Sequence, residues 1–140
     1  MKNRIRNSII FSRTGGGGVE KNSQEIIEES VASVFSGEIV RLRWAVDGRP
    51  ICPVCGCKWH PGAESAWTKT GEFSNEGMPI VEPCWSSCTC CDTEFGNDDV
   101  PGPNGTLESS WASLRERWLQ KTGMIDSSLQ QLKNNLGINI

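Results

Sequence analysis

Two stretches decide the reading of this chain: Ile51-Cys52-Pro53-Val54-Cys55-Gly56-Cys57 and Ser87-Cys88-Thr89-Cys90-Cys91-Asp92-Thr93-Glu94-Phe95-Gly96. Each holds a Cys-x-x-Cys pair. Two intervening residues let a single turn present both thiolates to one ion, and two such pairs supply a closed tetrahedral shell of four sulfurs, the spacing logic of a structural zinc site. The assignment is therefore one structural Zn2+ held by Cys52, Cys55, Cys88 and Cys91. The knuckles are separated by 32 residues, longer than the common ribbon spacing, which predicts an inserted hairpin between them.

Three of the seven cysteines remain: Cys57, Cys84 and Cys90. They read as spare thiols. A second reading adds His60 and builds a two-zinc, eight-ligand cluster, but no second tidy pair supports it, and a swap of Cys90 for Cys91 or recruitment of Cys57 stays open. His60 is the single histidine. It does not complete a deaminase signature, which needs H-x-E and P-C-x-x-C: Gly62 stands where the glutamate belongs, and Pro83-Cys84 reaches Cys88 one residue too late. Neither Cys-x-x-Cys pair opens a helix, as a thioredoxin-type redox site requires. Glu94, Asp98 and Asp99 read as a solvated acidic loop.

The chain has 140 residues, a net charge of −3, six tryptophans and no tyrosine. That length suggests one domain plus tails. Charge is unevenly spread: +2 over residues 1–50, −6 over 51–103 and +1 over 104–140. A ribbon that grips phosphates shows the reverse, a basic patch. No secretory h-region opens the chain and no apolar run reaches membrane-spanning length, so the expectation is a reducing cytoplasm where thiols stay free to bind metal.

Outward from the knuckles, residues 1–22, with Gly15 to Gly18, read as a disordered basic and Gly-rich tail, and a translation start at Val19 would remove most of it. Residues 23–140 read as a single domain. Ser23 to Ser36 is expected to be a helix, with Ser23 as N-cap, Gly37 as its stop and an apolar stripe of Ile27, Val31, Val34 and Phe35. Glu25, Glu28 and Glu29 would form its solvated face. Glu38 to Val46 alternates and predicts a half-buried strand, with Val40, Leu42, Trp44 and Val46 on one side. Residues 56–87 predict short strands and turns. Thr106 to Thr122 is the clearest helix, with Leu107, Trp111, Leu114 and Trp118 on one face, and Asp126 to Leu136 adds a short one. The expected class is α+β: a small antiparallel zinc-ribbon sheet, an N-terminal helix and one or two C-terminal helices packed on it. Trp111 and Trp118 would seat the long helix, with Phe95 and Trp85 beside them.

At Cys52-Pro-Val-Cys55-Gly, at Cys88-Thr-Cys90-Cys91-Asp-Thr-Glu-Phe-Gly-Asn-Asp-Asp99 and at Leu114-Arg-Glu-Arg-Trp-Leu119, the chain resembles the small bacterial cysteine-rich CPCC proteins. The resemblance covers about residues 50–122 and departs from the pattern at Thr89, where a proline is usual, and in the long connection. It implies a zinc ribbon followed by a helix, maps the ligands onto the same four cysteines and names no biochemical role. The expected function is a non-catalytic, zinc-stabilised protein-binding module with a basic protein as partner, in the manner of an immunity or antitoxin-like inhibitor. A nucleic-acid-binding ribbon ranks second, using Arg41, Arg43, Arg49, Arg115 and Arg117 should strand and helix lie together. A metalloenzyme built on His60 and an open zinc ranks third.

Overall fold

The computed structural model describes residues 26–123 and 126–137, so the N-terminal tail reading and the Ser23 cap lie outside the described residues. Five strands and two helices follow in order: β1 (Ile26–Ser33), β2 (Ile39–Ala45), β3 (Pro50–Ile51), β4 (Trp67–Phe73), β5 (Pro79–Pro83), α1 (Leu107–Thr122) and α2 (Asp126–Leu136). The class is α+β, as expected. The sheet runs β3-β2-β1-β5-β4. It is mixed and not antiparallel throughout, because β1 pairs β5 in parallel at Ala32↔Ile80 and Ser33↔Val81.

The expected first helix is instead β1, the central strand. Its apolar residues fit a helical stripe and a two-sided strand equally well, and tertiary pairing decides between them. β1 is laddered by β2 on one side, with Ile27 opposite Trp44 and Val31 opposite Val40, and by β5 on the other. Val31 and Ala32 are both buried, as a central strand covered on both faces requires. Val34 and Phe35, assigned to the buried stripe, sit exposed in the hairpin turn. Gly37 closes that turn at φ 77°, its N–H donating to the Ser33 carbonyl. A left-handed glycine ends a helix or turns a hairpin alike, so its position did not discriminate. The supposed solvated face is also engaged: Arg43 Nη2 lies 2.6 Å from Glu28 Oε2, and Lys69 Nζ lies 2.9 Å from Glu29 Oε2.

β2 alternates as read through its first half, burying Val40 and Leu42 and exposing Ile39 and Arg41, but the expected face fails at its end: Trp44 is half-buried, Ala45 is buried instead, and Val46 is exposed in the turn past the strand. α1 begins at a capping box in which Thr106 accepts from the Ser109 N–H and Ser109 Oγ accepts from the Thr106 N–H. Two further first-turn N–H groups, of Leu107 and Glu108, donate to the Glu38 carboxylate at 2.6 and 3.2 Å. Glu38 thus ties the β1–β2 hairpin to the positive end of α1. Gly123 in the left-handed region terminates the helix, its N–H returning to the Leu119 carbonyl.

The main core joins Val31, Val40, Leu42, Trp67, Val81, Phe95, Leu107 and Trp111 to Cys52, Cys55 and Cys88. A smaller cluster of Ile51, Leu132 and Leu136 holds α2, and Trp118 packs against both. Phe95 is fully buried as expected, but Trp85 is 58% exposed and does not seat α1. Its ring instead covers Gly96, where an added Cβ would meet the ring at 2.7 Å.

The acidic loop reading fails at Asp99, which is wholly buried. Its Oδ2 accepts from Trp67 Nε1 at 3.0 Å and from Trp111 Nε1 at 2.9 Å, and its Oδ1 accepts from the Gly96 N–H at 2.7 Å. One carboxylate satisfies two buried indoles from different elements, β4 and α1. Asp99→Ala leaves both indole N–H groups unpaired in the core and is expected to cost about 3 kcal/mol or more in urea unfolding. Asp99→Asn, which keeps one acceptor oxygen, is expected to cost less.

Candidate metal centre

The two knuckles are built alike, position by position. In the first, the Cys52 N–H donates to the Cys57 carbonyl and the Gly56 N–H to the Cys52 carbonyl, each at 2.9 Å. In the second, the Cys88 N–H donates to the Thr93 carbonyl at 3.0 Å and the Asp92 N–H to the Cys88 carbonyl at 2.7 Å. Flanking bridges match too, Ile51↔Lys58 and Ser87↔Glu94. Gly56 and Asp92 occupy the equivalent left-handed position, at φ 78° and 64°. Aspartate is among the few side chains that tolerate it, which hides the repeat from a glycine-based reading.

The repeat brings together the four cysteines assigned from spacing. The sulfurs of Cys52, Cys55, Cys88 and Cys91 all lie within 4.8 Å of one another. Cys52 and Cys91 are 3.8 Å apart, and Cys55 and Cys88 3.7 Å. A tetrahedron with metal–sulfur bonds of about 2.3 Å has edges of about 3.8 Å. The group fits a metal ion at its centre without rearrangement. Cys52, Cys55 and Cys88 are buried and Cys91 is half-buried.

Burial pushes the Cys52 thiol well up, and hydrogen bonding and repulsion from the neighbouring sulfurs add to it. Cys55 is raised as well: its hydrogen bond from Cys52 opposes the shift, but Cys88, Cys91 and burial outweigh it. Cys88 and Cys91 are lowered by hydrogen bonds from Cys52 and Cys55. At these separations four ionised thiols would repel one another strongly. A bound dication offsets that repulsion and lets all four ionise. The surroundings favour negative sulfur. Trp59 Nε1 donates to Cys88 Sγ at 3.3 Å and the Cys90 N–H donates to it at 3.4 Å. Cys91 Sγ lies 3.3 Å from Thr93 Oγ1, a hydroxyl able to donate to an ionised sulfur. Trp59 also leans on Phe95, with ring centroids 5.9 Å apart, which fixes the indole.

The helices grip the first knuckle by its backbone. Arg115 of α1 donates from Nε to the Val54 carbonyl at 2.7 Å and from Nη2 to the Pro53 carbonyl at 2.9 Å. Asn135 of α2 donates to the Gly56 carbonyl at 2.8 Å from a buried position. Leu132 packs on Gly56 so closely that a Cβ there would lie 3.3 Å from the leucine Cγ. From sequence, Arg115 was read only as part of a nucleic-acid patch and Leu132 only as an apolar position of the last helix, while Asn135 was not singled out. Arg115 and Asn135 act through knuckle carbonyls far along the chain, a signal that only the fold can reveal.

Of the spare cysteines, two are not spare. Cys57 and Cys90 are joined as a disulfide pair, with Cα atoms 6.6 Å apart, and their sulfurs lie beside that of Cys55. Cys84 and His60 belong to neither sulfur group among the described residues, so the eight-ligand reading finds no support. His60 is exposed, its Nδ1 2.9 Å from the Pro61 carbonyl oxygen. Compared with protein-family models, with curated proteins and with solved structures, the chain matches none.

A titration with Co2+ followed by its thiolate charge-transfer band separates the cysteine roles. Cys52→Ser and Cys88→Ser are expected to abolish the tetrahedral S4 signature, whereas Cys57→Ser and Cys90→Ser keep it. Trp59→Phe, which removes one donor to Cys88 and leaves the ring, is expected to weaken metal affinity by about 10-fold or more.

Proposed function

We propose that the chain is a zinc-stabilised, non-catalytic binding module of the CPCC type, in which the metal is a scaffold. The observation that carries this reading is the four-sulfur group at tetrahedral spacing. Four protein sulfurs leave no coordination position for water or substrate, whereas catalytic zinc keeps one open. Zinc or an iron–sulfur centre suits a tetrahedral sulfur shell, and zinc is the redox-inert choice for a scaffold. Metal analysis expects one zinc per chain with four sulfur neighbours at about 2.3 Å by X-ray absorption. Iron, or a coordinated oxygen, would overturn the scaffold reading.

The partner we propose is a protein with a basic face. Glu72, Glu76 and Glu82 are exposed along the β4–β5 hairpin, with the exposed side chain of Phe73 among them. Acidic groups around an apolar anchor speed encounter with a cationic surface and then bury area. An inhibitor of the immunity or antitoxin kind is one form such a module takes. No helix among the described residues is long and apolar enough to cross a membrane.

One observation favours the nucleic-acid alternative: β2 and α1 do lie together, and Arg41, Arg43 and Arg115 line one cleft between them. Arg49 is drawn elsewhere, bound to the Trp59 carbonyl at 2.7 Å. Glu28 and Glu108 interrupt the patch. Three cations so offset are too few for a phosphate track. Anisotropy titrations with labelled single- and double-stranded DNA and RNA at low salt are expected to show no binding, and salt-sensitive binding would reverse the ranking.

If the metal replaces missing core, chelation should unfold the domain. A strong chelator under reducing conditions is expected to lower Tm by more than about 10 °C. The metal-bound thiols are ionised, so the unfolded chain binds more protons than the folded one, and stability falls as pH falls. A Tm unmoved by chelator would show that zinc is not structural.

A further inference from the structure

Between the outer face of β2 and the exposed side of α1 lies a cleft of about 520 Å3. That volume falls within the range of small-molecule sites. One wall carries Ile39, Arg41 and Arg43, alternate residues that share a face of the sheet. The other carries Glu108, Ala112 and Arg115, which recur on one face of the helix, with Trp111 beside them. Pro53 and the end of α2 at Leu136 and Gly137 close it off. The first knuckle therefore forms one end of the cleft, so the metal centre shapes it.

The charge inventory of this cleft is specific. Three guanidiniums face it, of Arg41, Arg43 and Arg115. Glu28 approaches two of them, 2.6 Å from Arg43 and 3.9 Å from Arg41, and Glu108 stands on the opposite wall. Among the side chains at the cleft, three cations against two carboxylates leave an excess of one positive charge, and the sulfurs of Cys52 and Cys55 behind Arg115 offset it further when ionised. Arg115 spends its Nε and Nη2 donors on neutral carbonyls, so no carboxylate hydrogen-bonded to it offsets its charge among the described residues. Carbonyl bonds from one wall and a carboxylate from the other hold Arg115 and Arg43 in place before any ligand arrives. Preorganised guanidiniums favour planar, bidentate anions, and a single excess charge matches a monoanion better than a phosphate dianion. Beside the charged groups and Ser30, the side chains of Ile39, Ala112 and Pro53 give the cleft an apolar part that accommodates a small hydrocarbon body behind the anionic head.

We propose that this cleft is a binding site for a small organic monocarboxylate with an apolar body, its carboxylate held between Arg41 and Arg43 of β2 and Arg115 of α1. The proposal needs the folded domain and does not depend on which metal holds the knuckles. It adds a small-molecule site, on the face carrying Arg41, to the acidic hairpin proposed for a protein partner.

Benzoate is the probe, titrated into the full chain in its metal-loaded form, with an unchanged Tm verified first for each variant. The readout is 1H–15N NMR of the Trp111 indole and the arginine side chains. The expected result is saturable shifts at these groups with Kd of about 1 mM, as suits so small a ligand. Arg41 is 61% exposed and its loss should not disturb folding, so Arg41→Gln is expected to weaken binding by about threefold or more at low salt. Glu108→Gln, which raises the excess charge, is expected to tighten it by a similar factor. Benzyl alcohol is expected not to bind. Shifts that do not saturate or that fall outside the cleft would overturn the proposal, as would two variants that both leave the affinity unchanged. Phenyl phosphate binding about tenfold tighter than benzoate would overturn the monocarboxylate assignment. Loss of Tm on chelation bears on the zinc reading alone, so failure of one test leaves the other standing.

Discussion

Everything distinctive in this fold converges on four sulfurs that cannot all be negative unless a cation sits among them. Their mutual approach, 3.7 and 3.8 Å across two pairs, joins two knuckles that lie far apart in the chain. Once joined, the first knuckle offers three backbone carbonyls, those of Pro53, Val54 and Gly56, to Arg115 and Asn135. The second presents Phe95 to the core and leads to Asp99, which receives the indoles of Trp67 and Trp111. Sheet and helices thus reach each other largely through groups that the knuckles position. A domain of this size has limited apolar surface to bury, and cross-linking by metal is a physical substitute.

The knuckles were legible because metal coordination writes its constraint into local spacing. Two residues between cysteines mean one turn, whatever the rest of the chain does. α1 was legible for a related reason: its cap, its apolar face and its terminal glycine all lie within one window. β1 was not. Ile27, Val31, Val34 and Phe35 satisfy a helical period, and what overrides it sits in β2 and β5, whose ladders claim both edges of this segment. A parallel partner so distant in sequence leaves no local trace.

Polar groups that act inside the fold were hidden in the same way. Asp99 follows Asp98 in a stretch that looks hydrophilic, and only the tertiary structure separates them: Asp98 is exposed and accepts from the Glu94 N–H, while Asp99 is buried beneath two tryptophans. Glu38 looked like the start of a strand and is also the cap of a helix. Cys57 and Cys90 were read as leftovers because Cys57 follows one Cys-x-x-Cys pair and Cys90 falls within the other, yet the joined knuckles bring the two together. The composition itself held a hint, since six tryptophans bring six N–H groups that need acceptors when buried. Two of them find the carboxylate of Asp99 and a third finds the sulfur of Cys88.

The parallel junction between β1 and β5 spans only two residue pairs, Ala32↔Ile80 and Ser33↔Val81. The five-stranded sheet is therefore two antiparallel groups, β3-β2-β1 and β5-β4, joined along a short parallel seam. Regions held by few contacts open locally at lower free energy than core strands. Parting there would bare the backbone edge of β1 beside Val31 and Ala32, apolar residues with free ladder groups and no charge of their own. An uncapped apolar edge templates pairing with other chains. A closed seam keeps that edge from pairing with another chain.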